Sequence, residues 1–398
     1  MRTRREILAA AAVGVAAPAL LRQAWAQQDA IEVGSLVSLS GTFANIGEQV
    51  DIGSKVAFEY YKTAAGKPLR YVQLDDQGDP GRAVRLTQDA MRDRGIRFFM
   101  NCTNSAIALA VAKEAASGGG VYINQAGADE MTGSLCNKNT FRWPVATYSA
   151  VNTTVRPFMK QFPDAKKWYT ITGQYVFGDS LLKNLKDVLG EVGGQHIGNS
   201  YHSLSDREYS GFITAAIAAQ PDVLCICNFG SQTIDVLRQA VSFGMKRNTK
   251  ILVVWSTGLD QFQSLGPDIC EGVYFGANYW HGVDAPGNRL LTGVIKAKLK
   301  VTPSYLLTAG WACTQATVEA LNKAGTTDVP AVIKAFEGLS YEGPTGLEKV
   351  RAEDHQVLKD YYLLLGKPKA RMRDKDDYVD VVSAEKAFLS PDKTGCKL

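Results

Sequence analysis

Residues able to make and break bonds are few in this chain, and their spacing does not suit it. The four histidines, His196, His202, His281 and His355, include no pair at i, i+4. Neither an H-E-x-x-H nor a C-x-x-C run occurs, so no metal centre is encoded locally. There is no G-x-S-x-G elbow. Gly66-Lys67 is followed by Pro68 and has no glycine five residues before it, which excludes a phosphate-binding P-loop. Asp75-Asp76-Gln77-Gly78-Asp79 has the acidity of a calcium loop without its ligand spacing or terminal glutamate, and before Pro80 it reads as a solvated turn. No catalytic residue, metal ligand or cofactor is assigned, and the expectation is a protein that is not an enzyme.

What the chain offers instead is a series of polar and aromatic residues at the ends of apolar runs. Asn101-Cys102-Thr103-Asn104-Ser105 precedes a helical stretch that opens Ala106-Ile107-Ala108. Asn104 or Ser105 can cap that helix, leaving N–H groups and a partial positive charge where a small carboxylate fits. Plain capping without a ligand explains the same residues. Asn124-Gln125-Ala126-Gly127-Ala128 follows the next run, and its small side chains let a ligand approach the backbone. Tyr175-Val176-Phe177, Asn228-Phe229, Trp255-Ser256-Thr257 and Asn278-Tyr279-Trp280-His281 repeat the pattern with rings. Each ring could be core packing; their recurrence at successive strand ends favours the wall of a pocket.

The elements that must position these residues alternate. Strands are expected at 31–39, 69–74, 96–100 and 121–124, with helices at 47–62, 81–94 and 106–116 between them. A helix at 148–161 leads into a second series. Its strands fall at 168–172, 196–203, 223–228 and 251–255, and its helices at 178–190, 209–219 and 231–243. A strand at 272–277 follows, then helices at 286–299, 304–324 (with Gly325 as C-cap) and 329–337, and a β-rich end with its clearest strand at 357–365. This order predicts two doubly wound α/β lobes, with ligands held at the carboxyl ends of both sheets.

The first twenty-six residues read as an export signal: Arg4-Arg5 before Ile7-Leu8, an alanine-rich apolar run at 9–21, and Ala24-Trp25-Ala26 as the cleavage end. The run is too short to span a bilayer. The paired arginines point to the twin-arginine route; an ordinary Sec signal is the alternative. Cleavage near Ala26 leaves 372 of the 398 residues. The formal net charge of +4 falls to about +1 once the leader, with four arginines and one glutamate, is gone. A near-neutral protein outside the cytoplasm is no general partner for nucleic acid, and it has no supply of ATP or reduced nicotinamide. All seven cysteines survive cleavage, so at least one is free. Cys225 and Cys227 read as small buried hydrophobes, and Cys136 and Cys396, in turn-like segments, are the candidates for a disulfide.

Several segments then occur in a familiar order. They are Gly34-x-Leu36-x-Ser38-Leu39-Ser40-Gly41, Asp75-Asp76 with Asp79-Pro80, Asn104-Ser105, Gln125-Ala126-Gly127-Ala128, Phe141-Arg142, Tyr175-Val176-Phe177-Gly178 and Leu237-Arg238-Gln239-Ala240. Together they resemble the type I periplasmic binding proteins of ABC importers, in the branched-chain amino-acid (leucine/isoleucine/valine) group, over about residues 30–370. The resemblance implies a three-crossover hinge between lobe 1 (30–146 and 278–340) and lobe 2 (147–277 and 341–398). It also implies a soluble periplasmic monomer that closes over one solute and delivers it to a membrane permease.

By position, the resemblance assigns the ligand carboxylate to Asn104, Ser105 and the backbone of Ala126 and Ala128, with Thr103 and Tyr148 nearby. Phe177 and Phe229 take the places of rings that cover the ligand, and Tyr175, Trp255, Thr257, Tyr279 and Trp280 complete the expected site. Amino-acid binders of the group carry a carboxylate after the strand matched by 251–255, to pair with the ligand ammonium. Here that place holds Trp255-Ser256-Thr257, with Asp260 farther along. A buried ammonium without a counter-charge is costly, so the expectation leans to an aromatic or other non-amino carboxylate. Branched-chain or other amino acids, amides, a sensory module for a membrane receptor and an envelope hydrolase with a dispersed site are the alternatives.

Overall fold

The computed structural model describes residues 30–398, so the expected leader lies outside the described residues. The first sheet is built from β1 (Ile31–Val37), β2 (Thr63–Ala64), β3 (Lys67–Asp75), β4 (Phe98–Met100), β5 (Val121–Asn124) and β6 (Thr140–Arg142). Its order is β2-β3-β1-β4-β5-β6, and only the β2–β3 hairpin is antiparallel. The second sheet begins with five parallel strands: β7 (Lys167–Gly173), β8 (Gln195–His202), β9 (Val223–Cys227), β10 (Lys250–Ser256) and β11 (Tyr274–Ala277). After it, β12 (Ser340–Gly343), β13 (Gly346–Val350) and β14 (Val357–Leu358) make a separate antiparallel sheet. Finally β15 (Tyr361–Gly366) and β16 (Val379–Glu385) return to the second sheet, giving the order β16-β15-β11-β10-β9-β7-β8.

Helices cover both faces of each large sheet, which is why inner strands such as β5 and β9 read as apolar runs without alternation, whereas β3 and β8 toward the edges do not. In β9 every residue from Val223 to Cys227 is buried, including both cysteines. One apolar cluster runs from lobe to lobe through Phe141, Trp143, Phe177, Trp255, Tyr305 and Tyr361. Two further clusters fill the outer faces, one under helices Pro80–Arg94 and Ser105–Ser117, the other under Ser210–Ala218 and Ser231–Ser242. Local signals bound the helices, and Gly325 is the C-cap expected. Asp79 caps Pro80–Arg94 through the Arg82 N–H, and Gly325, left-handed at φ 64°, closes Tyr305–Ala324.

The chain passes between the two large sheets at 143–146, at 278–285 and at 359–360, and one residue ties the three passages together. Asn278 accepts the Val145 N–H on Oδ1 at 3.0 Å and the Lys359 ammonium on its carbonyl at 2.6 Å. The same ammonium lies 4.6 Å above the Trp143 ring. The run 357–365, expected as one strand, is therefore broken at Lys359 into β14 and β15, which belong to different sheets. The expected assignment of all of 341–398 to lobe 2 differs from the sheet membership. β12 and β13 pack beside helices Pro286–Leu299 and Tyr305–Ala324, and only β15 and β16 join the lobe 2 sheet. The tail then returns to the first lobe, where Cys396 is disulfide-bonded to Cys136.

Candidate functional site

In both sheets the first strand has a neighbour on each side, and the chain leaves it in opposite directions: β3 and β4 flank β1, and β8 and β9 flank β7. The loops at the carboxyl ends of these strands diverge and leave a crevice. The two crevices face each other and share one cavity lined by residues of both lobes.

On the first lobe the chain leaves β4 through Asn101, which is buried and left-handed at φ 70°. Its amide donates to Ser35 Oγ and Ser54 Oγ, both at 2.9 Å, and its carbonyl accepts the Tyr122 hydroxyl at 2.6 Å. Asparagine tolerates this conformation better than most residues, and its bonds hold the turn that carries 102–105 into the cleft. The Gln125 amide joins that turn to the loop after β5, accepting the Cys102 N–H at 3.2 Å and donating to the Cys102 carbonyl at 2.5 Å. Thr103 Oγ1 lies 2.6 Å from Ser38 Oγ, which donates to the buried Asp76 at 2.5 Å. Burial pushes the Asp76 carboxyl up, and the Ser38 hydrogen bond opposes that rise.

Helix Ser105–Ser117 starts at the cavity wall with Asn104 as its cap, Oδ1 accepting the Ile107 N–H at 2.9 Å. The next loop is Ala126-Gly127-Ala128. The Ala126 N–H is taken by Asn124 Oδ1 at 3.0 Å and the Ala128 N–H by Ser105 Oγ at 3.3 Å. Among the described residues no acceptor meets the Gly127 N–H, so the uncommitted donors here include Gly127 and, with its oxygen occupied, the Ser105 hydroxyl; on the opposite wall the buried Trp255 Nε1 also has no partner.

The second lobe supplies rings. Phe177 stands in the first turn of helix Val176–Glu191, with Tyr175 just before it. Its ring meets Trp255 edge-on at 5.1 Å, Phe229 at 5.9 Å and Tyr175 at 5.9 Å. The lobes touch across the cleft. A Cβ on Gly127 would lie 2.4 Å from Phe177 Cε2 and 2.9 Å from Trp255 Cη2, and one on Gly230 would lie 3.1 Å from Ile46 Cδ1.

Eight of the expected residues line this one cavity: Thr103, Asn104, Ser105, Ala126, Tyr175, Phe177, Phe229 and Trp255. Five lie apart from it. Ala128 is fully buried behind Ser105. Tyr148 borders a separate small cavity with Arg142 and Gln356. Thr257 is turned inward, donating to Asp260 Oδ2 at 2.9 Å. The Tyr279 hydroxyl bonds Asn288 Oδ1 at 2.7 Å, and Trp280 packs against Phe262 and His281. Asp260 is also outside the lining; burial pushes its carboxyl up to about 7, and its Oδ1 has no partner.

Six lining residues complete the wall: Ile46, Cys102, Gln125, Gly127, Tyr305 and Leu306. Cys102, Gln125 and Gly127 fall inside segments already singled out. Ile46, Tyr305 and Leu306 come from the first turns of two lobe 1 helices and carry no local signal. No lining residue is charged: one end of the cavity offers N–H and hydroxyl donors, and the other offers rings.

A family model described as periplasmic binding protein matches residues 30–370. The chain belongs to that family. A solved amino acid ABC transporter substrate-binding protein from Pseudomonas fluorescens is 52% identical, with a TM-score of 0.90 over 93% of this chain and 99% of that one. The Leu/Ile/Val-binding protein homolog 3 of Brucella melitensis is 22% identical over 76% of this chain and 82% of its own length. A solute-binding protein from R. palustris, solved with benzoate, shares the fold at 21% identity and a TM-score of 0.81, covering 93% of this chain and all of its own. The two sheets of mostly parallel strands are those of a type I binding protein of ABC transporters. Such proteins are transport components working in the periplasm.

Proposed function

We propose that this protein captures a small carboxylate without an α-ammonium group, an aromatic acid foremost, and presents the closed form to an ABC permease of the inner membrane. The observation that carries the reading is the cavity lining: donors at Gly127 and Ser105, rings at Phe177, Phe229, Trp255 and Tyr305, and no carboxylate for an ammonium. A carboxylate at the donor end is met by N–H dipoles at a helix start, and the rings cover the rest of the solute. The R. palustris protein solved with benzoate has the same fold. The chain reaches the periplasm through its twin-arginine leader, cut near Ala26, and acts there as a monomer.

A second reading is favoured by one observation, the unpartnered Oδ1 of Asp260. An α-amino acid would require Asp260 to leave Thr257 and turn into the cavity.

Calorimetry with benzoate, 4-hydroxybenzoate, cinnamate and phenylacetate against leucine, isoleucine and valine tests the choice. The proposal predicts one-to-one binding of an aromatic acid at least about tenfold tighter than any of the amino acids. Tighter binding of an amino acid, abolished in Asp260→Asn, would select the second reading; no binding by any of the seven would remove both.

A further inference from the structure

Arg142 ends β6, is 1% exposed, and forms no ion pair among the described residues. All of its hydrogen bonds go to neutral acceptors. Nε donates to Gln356 Oε1 at 2.7 Å and Nη2 to Thr132 Oγ1, while Nη1 donates to the carbonyls of Gly127 at 3.2 Å and Ala128 at 2.6 Å. Asp129, Glu130 and Asp354 lie near enough to favour its charge without bonding it, and two of the three are engaged elsewhere. Asp354 is clamped by Arg351 at 2.8 and 2.5 Å, and Asp129 accepts from Thr147, the Tyr148 N–H and Asn184. A buried cation with no bonded counter-charge is costly, and burial outweighs the three carboxylates and draws the Arg142 guanidinium down to about 10.

The carbonyl that Arg142 holds at Gly127 belongs to the same peptide as the Ala128 N–H. That N–H donates to Ser105 Oγ at 3.3 Å, and Ser105 lines the cavity. We propose that Arg142 is the buried counter-charge of the ligand carboxylate, acting as a positioning residue through the Gly127–Ala128 peptide and the Ser105 hydroxyl. The inference rests on the carboxylate reading of the cavity. Each bond in the chain polarises the next, from guanidinium to carbonyl, from N–H to hydroxyl oxygen, and from hydroxyl proton to anion. The ligand needs no cation in the cavity wall because one stands behind it. A unit charge at about 8–10 Å in an effective dielectric of about 20 changes anion affinity roughly ten- to thirtyfold.

The test is calorimetry on the intact protein with whichever acid of benzoate, 4-hydroxybenzoate, cinnamate and phenylacetate binds it most tightly. Lysine keeps the charge but cannot reproduce the four bonds, and methionine keeps neither. The relay therefore predicts a loss of at least about tenfold in Arg142→Met and a loss within about threefold in Arg142→Lys. Ser105→Ala leaves every bond of Arg142 in place and removes the last donor. It is expected to weaken the acid by about tenfold, and it decides the matter if Arg142→Met does not fold. Equal losses in the Lys and Met variants, or unchanged affinity in Ser105→Ala, would overturn the relay while leaving the carboxylate reading standing. A wild-type protein that binds none of the four acids would overturn both.

Discussion

Gly127 of the first lobe and Phe177 of the second meet so closely that a Cβ on the glycine would stand 2.4 Å from the ring. Hydrogen at this position is thus a condition of closure. On the proposed function, the contact also joins the loop that would supply a donor to the ring that would cover the solute. Gly127→Ala is expected to leave the ligand-free protein folded and to oppose closing by about 1–3 kcal/mol. Affinity should fall roughly 5- to 150-fold, and small-angle scattering with saturating solute should show a more open particle than wild type. Unchanged affinity would show that the lobes need not meet at this contact.

Asp260 supplies a pH signature. Its folded pKa is about 7 because of burial, against an ordinary value of 3.8. Between about pH 4 and 7 the folded protein keeps a proton that the unfolded chain has lost. Stability from this group is therefore complete below about pH 4 and declines as pH rises, until it is lost above about 7. Asp260→Asn preserves an oxygen for the Thr257 hydroxyl and removes the titration. Its melting temperature should exceed wild type by at least about 2 °C at pH 8, and the gain should shrink toward pH 4. A gain that did not vary with pH would contradict this.

Lys359 at the third passage behaves oppositely. Burial lowers its ammonium to about 8 from 10.5, so between these values the unfolded chain holds a proton that the folded protein does not. Its contribution to stability rises with pH across that window. Lys359→Met should flatten the rise between pH 8 and 10 in urea denaturation. It should also loosen the hinge, since Asn278 loses the partner of its carbonyl. An identical pH slope in the variant would exclude Lys359 as its source.

The disulfide from Cys136 to Cys396 spans 260 residues and anchors the tail, whose Leu389 carbonyl also accepts from Arg351 Nη1 at 2.8 Å. Cys396→Ser with Cys136→Ser is expected to cost about 2–5 kcal/mol in urea denaturation. The segment after Glu385 should become the first site of proteolysis. No change in either measurement would mean that the tail is held by its other contacts alone.

Much of the site is legible in sequence because a doubly wound sheet delivers all its strand-end loops to one edge. Asn104 and Ser105, Ala126, Phe177, Phe229 and Trp255 are far apart in the chain, and each sits just past an apolar run. That local mark is enough to bring them together. The residues that lie elsewhere show where such marks stop. Asn278-Tyr279-Trp280 also follows a strand, but it lies on a passage between lobes, so its side chains hold the hinge and the outer core. Thr257 is diverted by Asp260, three residues on. Tyr305 and Ile46 reach the cavity because whole helices pack there, and no neighbouring residue signals it. The break in the strand expected at 357–365 depends on Lys359 meeting Asn278, a contact 81 residues away.

A crystal structure of the protein with a bound aromatic acid tests the central claim most directly. Carboxylate oxygens are expected within about 3.2 Å of the Gly127 N–H and Ser105 Oγ, with the ring against Phe177 and Trp255. A solute bound outside the interlobe cavity, or one whose charged group lies against Asp260 with Gly127 and Ser105 untouched, would contradict it.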